Sequence, residues 1–106
     1  MMPMLDILEL HTTFKNLQKN ELIVDVRYDD EYAEGHIPGS KNISYEEVLQ
    51  HVDELKKYSK VYLYCRTGSR VQRACLDLMN AGLKNIVAVV GGGMPDWTSS
   101  GFPIEK

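Results

Sequence analysis

Three short runs of mostly apolar residues constrain the fold of this chain more than any other feature. Each run has four to six residues, is rich in β-branched or aromatic side chains, and is nearly continuous instead of alternating with polar residues. A strand that is apolar on both sides is covered on both faces, as in a parallel sheet flanked by helices. The runs are residues 21–26, 61–64 and 86–90, and weaker strand candidates are residues 5–10 and 41–43.

Segments with helical patterns separate these runs. The clearest begins at Ser69, which forms a capping-box sequence with Gln72, and Gly82 is placed to end it. Its apolar residues recur at helical spacing and predict one buried face: Val71, Ala74, Cys75, Leu78 and Met79. Shorter helices are predicted from Thr12 or Thr13 to about Gln18, from Asp29 to Glu34, and around Pro95 with Trp97. The alternation predicts an α/β fold with right-handed crossovers, whose ligand site lies beyond the carboxyl ends of the strands.

Size and charge narrow the class of protein. The 106 residues are expected to form a single domain over 1–106, because domains average about 150 residues. Twelve basic and fifteen acidic residues give a net charge of −3, which argues against a nucleic-acid-binding protein. No apolar run approaches the roughly 20 residues of a membrane span, and the start lacks the basic region of a secretory signal. A cytoplasmic protein is therefore expected.

Cys65 is the best candidate for a reactive residue. It follows the run at 61–64 and precedes the helix that starts near Ser69, so it lies at the expected ligand-binding edge. Backbone N–H groups at a helix N-terminus and two nearby cations, Arg66 and Arg70, favour a thiolate and bind anions. Gly68 permits the tight loop that this short connection requires. By contrast, Cys75 lies on the apolar face of the helix and is predicted to be a core residue.

Other polar residues are expected to support the fold. Asp25 and Arg27, with Glu34, predict a structural set of ion pairs and hydrogen bonds. His36 is expected to fix a turn, and no second ligand stands at metal-binding spacing from it, so no metal site is expected. The glycines at 91–93 lack the Lys-Ser/Thr sequence of a phosphate-binding loop. They are predicted to let the backbone pass close to the Cys65 loop.

Several segments together resemble one known family. The sequence Cys-Arg-Thr-Gly-Ser-Arg at 65–70 resembles the active-site loop of single-domain rhodanese-like sulfurtransferases. Three further segments match that family in the same order: residues 25–27, residues 34–43, and the glycines at 91–93 with Trp97. Each motif is weak alone, but four in register over residues 21–101 are a strong signal.

The resemblance implies a fold and a reaction. The fold would be a five-stranded, mostly parallel sheet flanked by helices. Cys65 would take a sulfane sulfur from a small anionic donor such as thiosulfate and pass it, as a persulfide, to cyanide or a thiol. The backbone of Arg66, Thr67, Gly68, Ser69 and Arg70 would cradle the sulfur, and the two arginine side chains would attract the donor. Asp25 and Arg27 would brace the loop. The resemblance implies a reaction that needs no metal, and no other cofactor is expected. From charge and hydropathy, no nucleic-acid partner and no membrane partner are expected.

Three other functions have to be distinguished from this one. Cysteine phosphatases and arsenate reductases use C-x₅-R, whereas Cys65 and Arg70 enclose four residues and Val71 follows. A sulfur carrier that docks on a partner enzyme, for example in thiolation of tRNA or cofactors, stays open. A non-catalytic module of the same fold is disfavoured, because the nucleophile and its loop are intact.

Overall fold

A central β-sheet organises the molecule. The computed structural model describes residues 2–106 and contains a five-stranded sheet in the order β1-β5-β4-β2-β3, with every neighbouring pair parallel. The strands are β1 (Met4–Asp6), β2 (Glu21–Asp25), β3 (Lys41–Asn42), β4 (Lys60–Tyr64) and β5 (Ile86–Gly91). The α/β fold and the three main strands are confirmed. The sheet brings the carboxyl ends of β2, β4 and β5 to one edge.

Helices cover both faces of the sheet. They are α1 (Ile7–Lys15), α2 (Asp29–Glu34), α3 (Val52–Leu55, preceded by a 3₁₀ turn at Val48–His51), α4 (Ser69–Asn80) and α5 (Met94–Ser99). One apolar core lies between the sheet and α3 and α4, and a second lies between the sheet and α1 and α5. Trp97 is fully buried in the second core. Within residues 2–106, no helix has the length and apolarity needed to cross a membrane.

The start of the chain corrects one prediction. The strand predicted over residues 5–10 ends at Asp6, and α1 begins at once. The Asp6 carboxylate accepts the N–H of Glu9 at 2.8 Å, and the Glu9 carboxylate accepts the N–H of Asp6 at 3.0 Å. This capping box starts the helix, and Ile7 and Leu10 then share its buried side. The later helix start predicted for this region was wrong for the same reason.

Helix α4 has the buried face that its sequence predicts. The fully buried members are Val71, Ala74, Cys75 and Leu78, while Met79 is half-buried. The predicted N-cap was wrong by one residue, because Gly68 precedes the helix and its carbonyl accepts the N–H of Gln72 at 3.2 Å. Gly68 has φ +106°, a left-handed conformation that glycine adopts at little cost. This turn lets the N–H of Gly68 point back toward Cys65.

Candidate active site

Cys65 lies in a short loop between β4 and α4. Its side chain is fully buried, and the backbone N–H of Gly68 donates to its Sγ atom at 3.1 Å. Cys65 is therefore a buried thiol that lies at the N-terminus of α4 with a polar contact on its sulfur atom.

Neighbouring strands hold this loop at both sides. The carbonyl of Tyr64 accepts the N–H of Val26 at 3.0 Å, which continues the ladder between β4 and β2. The carbonyl of Cys65 accepts the N–H of Met94, the first residue of α5, at 2.9 Å. The loop is thus fixed between the end of β2 and the start of α5. It lies at the carboxyl-end edge of the sheet, as the sequence predicts.

Gly93 makes a close approach that only glycine can make. An added Cβ atom at this position would lie 2.2 Å from the carbonyl oxygens of both Cys65 and Arg66. Its backbone is extended, with φ −165°, so space alone demands glycine here. The prediction that the glycine run lets the backbone pass close to the Cys65 loop is confirmed at Gly93.

Asp25 and Arg27 form a buried ion pair at the end of β2. The Arg27 Nη2 atom lies 2.7 Å from the Asp25 Oδ2 atom and also donates to the carbonyl of Gly35 at 2.7 Å. Burial works to lower the pKa of Arg27, but the hydrogen bond and charge of Asp25 raise it above its usual value. Asp25 pairs in register with Tyr64, the residue before Cys65. The predicted structural set is confirmed for these two residues, but in residues 2–106 Glu34 pairs with neither.

Arg70 and Arg66, the two arginines of the Cys65 segment, have different surroundings. Arg70 lies in the first turn of α4, where its Nη1 and Nη2 atoms donate to the two carboxylate oxygens of Glu31 at 2.7 and 3.0 Å. Its guanidinium carbon lies 5.6 Å from the centre of the Tyr28 ring. Arg66 is exposed and has no ion-pair partner among residues 2–106.

Glu31 is the site residue that the sequence did not single out. The hydrogen bond from Arg70 is the main cause that lowers the pKa of Glu31 to about 2. The N–H of Tyr28 also donates to its Oε1 atom at 3.1 Å. Because 39 residues separate Glu31 from Arg70, no local spacing links them. The only sequence feature that could have drawn attention to Glu31 is the run of acidic residues in the first turn of α2.

The remaining predicted residues of the loop surround the same turn. Thr67 and Ser69 are exposed, and their hydroxyl oxygens lie 3.4 Å apart. Gly68 is buried, and its Cα faces the backbone of Val90, where an added Cβ atom would lie 3.0 Å from the carbonyl oxygen. The structure therefore brings all six residues of the predicted segment together around one turn.

An open cleft of about 480 Å³ lies beside the loop. Arg66 contributes to it from the loop, and Met94 and Pro95 contribute from α5. Its other walls include Glu31, Glu34, Ile104 and Lys106. The cleft combines apolar surface with charges of both signs, so it can receive a reactant larger than a small inorganic anion.

His36 ties the C-terminal segment to this cleft. Its buried ring stacks on Tyr32 at 3.6 Å between ring centres, and its Nδ1–H donates to the Tyr32 carbonyl at 2.8 Å. Its backbone exchanges two hydrogen bonds of 2.9 Å with Glu105. The prediction that His36 has a structural role is confirmed.

Cys75 occupies the core, as predicted. It is fully buried on the sheet-facing side of α4, and this burial raises the pKa of its thiol to about 12. A thiol in this state is a poor nucleophile at neutral pH.

Comparisons with known proteins agree with this fold. A family model described as the rhodanese-like domain matches residues 10–100. A sulfurtransferase of Allochromatium vinosum is 34% identical over 83 residues, which are 78% of this chain and 77% of that protein. The solved structure of a thiosulfate sulfurtransferase from Pseudomonas aeruginosa superposes with a TM-score of 0.83 at 29% identity. That match covers 98% of this chain and 20% of the other.

A second relative has a different proposed role. YrkF of Bacillus subtilis, proposed to be a sulfur carrier, is 38% identical over 76 residues. The match covers 72% of this chain, but the chain spans only 40% of the length of YrkF.

Proposed function

The chain belongs to the rhodanese-like family of sulfurtransferases and sulfur carriers, and on this premise we propose that it transfers sulfane sulfur through a persulfide on Cys65. The observation that carries this proposal is the N–H of Gly68 that donates to the buried Sγ atom at the N-terminus of α4. A thiolate held in this way is a nucleophile. The backbone N–H groups of the Cys65 loop can also stabilise the charge of a persulfide.

The reaction has two half-reactions. In the first, the Cys65 thiolate attacks the outer sulfur of thiosulfate, the sulfur–sulfur bond of the donor breaks, and sulfite leaves with the bonding electron pair. Cys65 then carries one additional sulfur as a persulfide anion. In the second, cyanide or a thiolate attacks that outer sulfur, a thiocyanate or a new persulfide leaves, and the Cys65 thiolate is regenerated. Neither half-reaction requires an external oxidant or reductant.

The surrounding residues have distinct proposed roles. The backbone N–H groups from Arg66 to Arg70 cradle the outer sulfur, and the exposed Arg66 side chain draws an anionic donor toward the cleft. Asp25 and Arg27 brace the loop through the register of β2 with β4. This buried pair holds the strand end against which Cys65 is fixed.

Steady-state kinetics test the reaction. Wild-type protein should form thiocyanate from thiosulfate and cyanide, with the parallel double-reciprocal lines of a ping-pong mechanism. Cys65→Ser should lose this turnover. Cys75→Ala is the matched control and should retain it, because it removes the other thiol and leaves the loop intact. Turnover that persists in Cys65→Ser would refute the proposal.

A sulfur-carrier role is the second candidate. The cleft beside Arg66 is larger than thiosulfate or cyanide requires, and YrkF is proposed to be a carrier. In this role a partner enzyme would dock over the loop and supply or remove the sulfur. A KM for thiosulfate far above cellular concentrations would favour the carrier role, and a KM near them would favour the free donor.

A reducing compartment such as the cytoplasm suits either role. Both cysteines are free thiols, and such a compartment keeps thiols reduced.

A further inference from the structure

We propose that Glu31 sets the charge that a reactant meets at Cys65, because its carboxylate binds Arg70 and leaves Arg66 to attract the anion. The inference rests on the proposed function and deepens it. It assigns specificity for anionic over neutral donors to a residue of α2, outside the Cys65 loop.

The first observation is the geometry of the Glu31–Arg70 pair. Two parallel hydrogen bonds of 2.7 and 3.0 Å join the guanidinium to the carboxylate. The N–H of Tyr28 donates to the Oε1 atom of the same carboxylate at 3.1 Å. The two side chains are only 21% and 24% exposed. A bidentate pair of this kind is strong and directional, so the charge of Arg70 is largely neutralised where it stands.

The second observation is that Arg70 lies within electrostatic reach of the reacting sulfur. It is the second residue of α4, and Gly68, which contacts the Sγ atom, is only two residues earlier. The hydrogen bond with Glu31 is the main cause of the raised pKa of Arg70, and the negative charge of a Cys65 thiolate is a further cause. Arg70 would therefore add to the attraction of an anion if Glu31 did not hold it.

The third observation concerns the other charges of the cleft. Arg27 is neutralised by Asp25. Arg66 is exposed in the cleft and has no ion-pair partner within the described part of the chain. Glu34 and Lys106 also line the cleft and offset each other in formal charge. Arg66 is thus the cation through which the site distinguishes an anion from a neutral molecule.

Two alkylating reagents of similar size test this assignment. Iodoacetate is an anion and iodoacetamide is neutral, and both form a bond between the Cys65 sulfur and carbon while iodide leaves. Since both react with the same thiolate, the ratio of their rate constants reports the local charge and not the fraction of thiolate. Intact mass gives each rate, and Cys65→Ser gives the background.

The expected result is a rise in the ratio of iodoacetate to iodoacetamide rates when Arg70 is released. Glu31→Gln should raise it about fivefold, the order expected for one added charge near a partly exposed site. Asp30→Asn is the matched control, since it removes an exposed carboxylate from the same helix, outside the lining of the cleft, without releasing an arginine. Its ratio should change less than about twofold. Adding Arg70→Gln to Glu31→Gln should return the ratio to the wild-type value.

Arg66→Gln provides an independent variant that leaves the fold undisturbed, because the side chain is exposed. It should lower the ratio about fivefold. The proposal is overturned if the ratio is unchanged in Glu31→Gln or Arg66→Gln, or if the rise persists in the double variant. Alkylation requires no sulfur transfer, so this outcome and the failure of the proposed reaction are separate results.

Discussion

The two cysteines of this chain have the same burial but different surroundings. Both side chains are fully buried, and they lie on either side of the start of α4. Cys65 precedes the helix, and the N–H of Gly68 donates to its sulfur. Cys75 lies in the middle of the helix among apolar side chains, where burial raises the pKa of its thiol to about 12. Two equally buried thiols of one chain thus differ in whether a polar group contacts the sulfur, and the proposed reaction assigns the nucleophile to the one that has such a contact.

The two environments also differ in how they are built. Regular helical spacing places Cys75 on the buried face of α4, where it packs in the apolar core against residues of the sheet. Cys65 depends on segments from distant parts of the chain, because Gly93 and Met94 of the β5–α5 connection touch its loop. Changes in the β5–α5 connection should therefore affect Cys65 more than Cys75.

The largest such effect is expected for Gly93→Ala. The new Cβ atom would lie 2.2 Å from two carbonyl oxygens of the Cys65 loop, so the backbone must move. We expect turnover to fall about 100-fold, as displacements of about 1 Å can do in active sites. Unfolding in urea should show a loss of about 3 kcal/mol, the upper range for overpacking.

Gly101→Ala is the control for this variant. A Cβ atom there has open space, so only the left-handed backbone, with φ +77°, is strained. It should lose about 1–2 kcal/mol of stability and keep its turnover. Normal turnover in Gly93→Ala would contradict the dependence of Cys65 on this contact.

A smaller effect is expected for Arg66→Ala. The Arg66 side chain is exposed and does not pack against either cysteine. Because the variant loses the positive charge proposed to attract the anionic donor, kcat/KM for thiosulfate should fall about tenfold. For a neutral persulfide donor the fall should be less than about twofold. Competition between the two donors measures the difference directly. Equal losses on both donors would show that Arg66 shapes the loop instead of attracting the anion.

The smallest effect concerns pH and the Glu31–Arg70 pair. The pKa of Glu31 is lowered to about 2 in the folded protein, below its usual 4.5. The pair therefore stabilises the fold fully above about pH 4.5, and this contribution is lost as the pH falls toward 2. Because Glu31 is partly exposed, we expect a contribution of about 1 kcal/mol. Urea unfolding of wild type and Glu31→Gln should differ by this amount at pH 5 and by clearly less at pH 2.5, and should converge only below about pH 2. A difference that does not change with pH would contradict the role of the pair.

Local patterns in the sequence predicted the fold well where packing is local. Continuous apolar runs located β2, β4 and β5, because a strand buried on both faces has apolar side chains on both sides. The prediction was wrong over residues 5–10, where a capping box between Asp6 and Glu9 outweighs an apolar pattern. It also missed that Gly68, and not Ser69, precedes α4, because a left-handed glycine is recognised only from the conformation of the loop.

The site was predictable in part for a related reason. Cys65 and its neighbours follow one another in sequence, so the strand–loop–helix pattern and the family resemblance both located them. The partner of Arg70 is 39 residues away, and only the sheet order brings α2 beside the start of α4. Sequence reasoning assigned the same role to Arg66 and Arg70, whereas the structure shows that a carboxylate holds one of them.

The position of the transferred sulfur tests the central claim most directly. The protein is incubated with thiosulfate, freed of excess donor, alkylated to trap any persulfide, and cleaved into peptides for mass spectrometry. We expect one additional sulfur atom on the peptide that contains Cys65, none on Cys75, and loss of that sulfur after cyanide treatment. Sulfur on Cys75, or no sulfur on Cys65, would contradict the central claim.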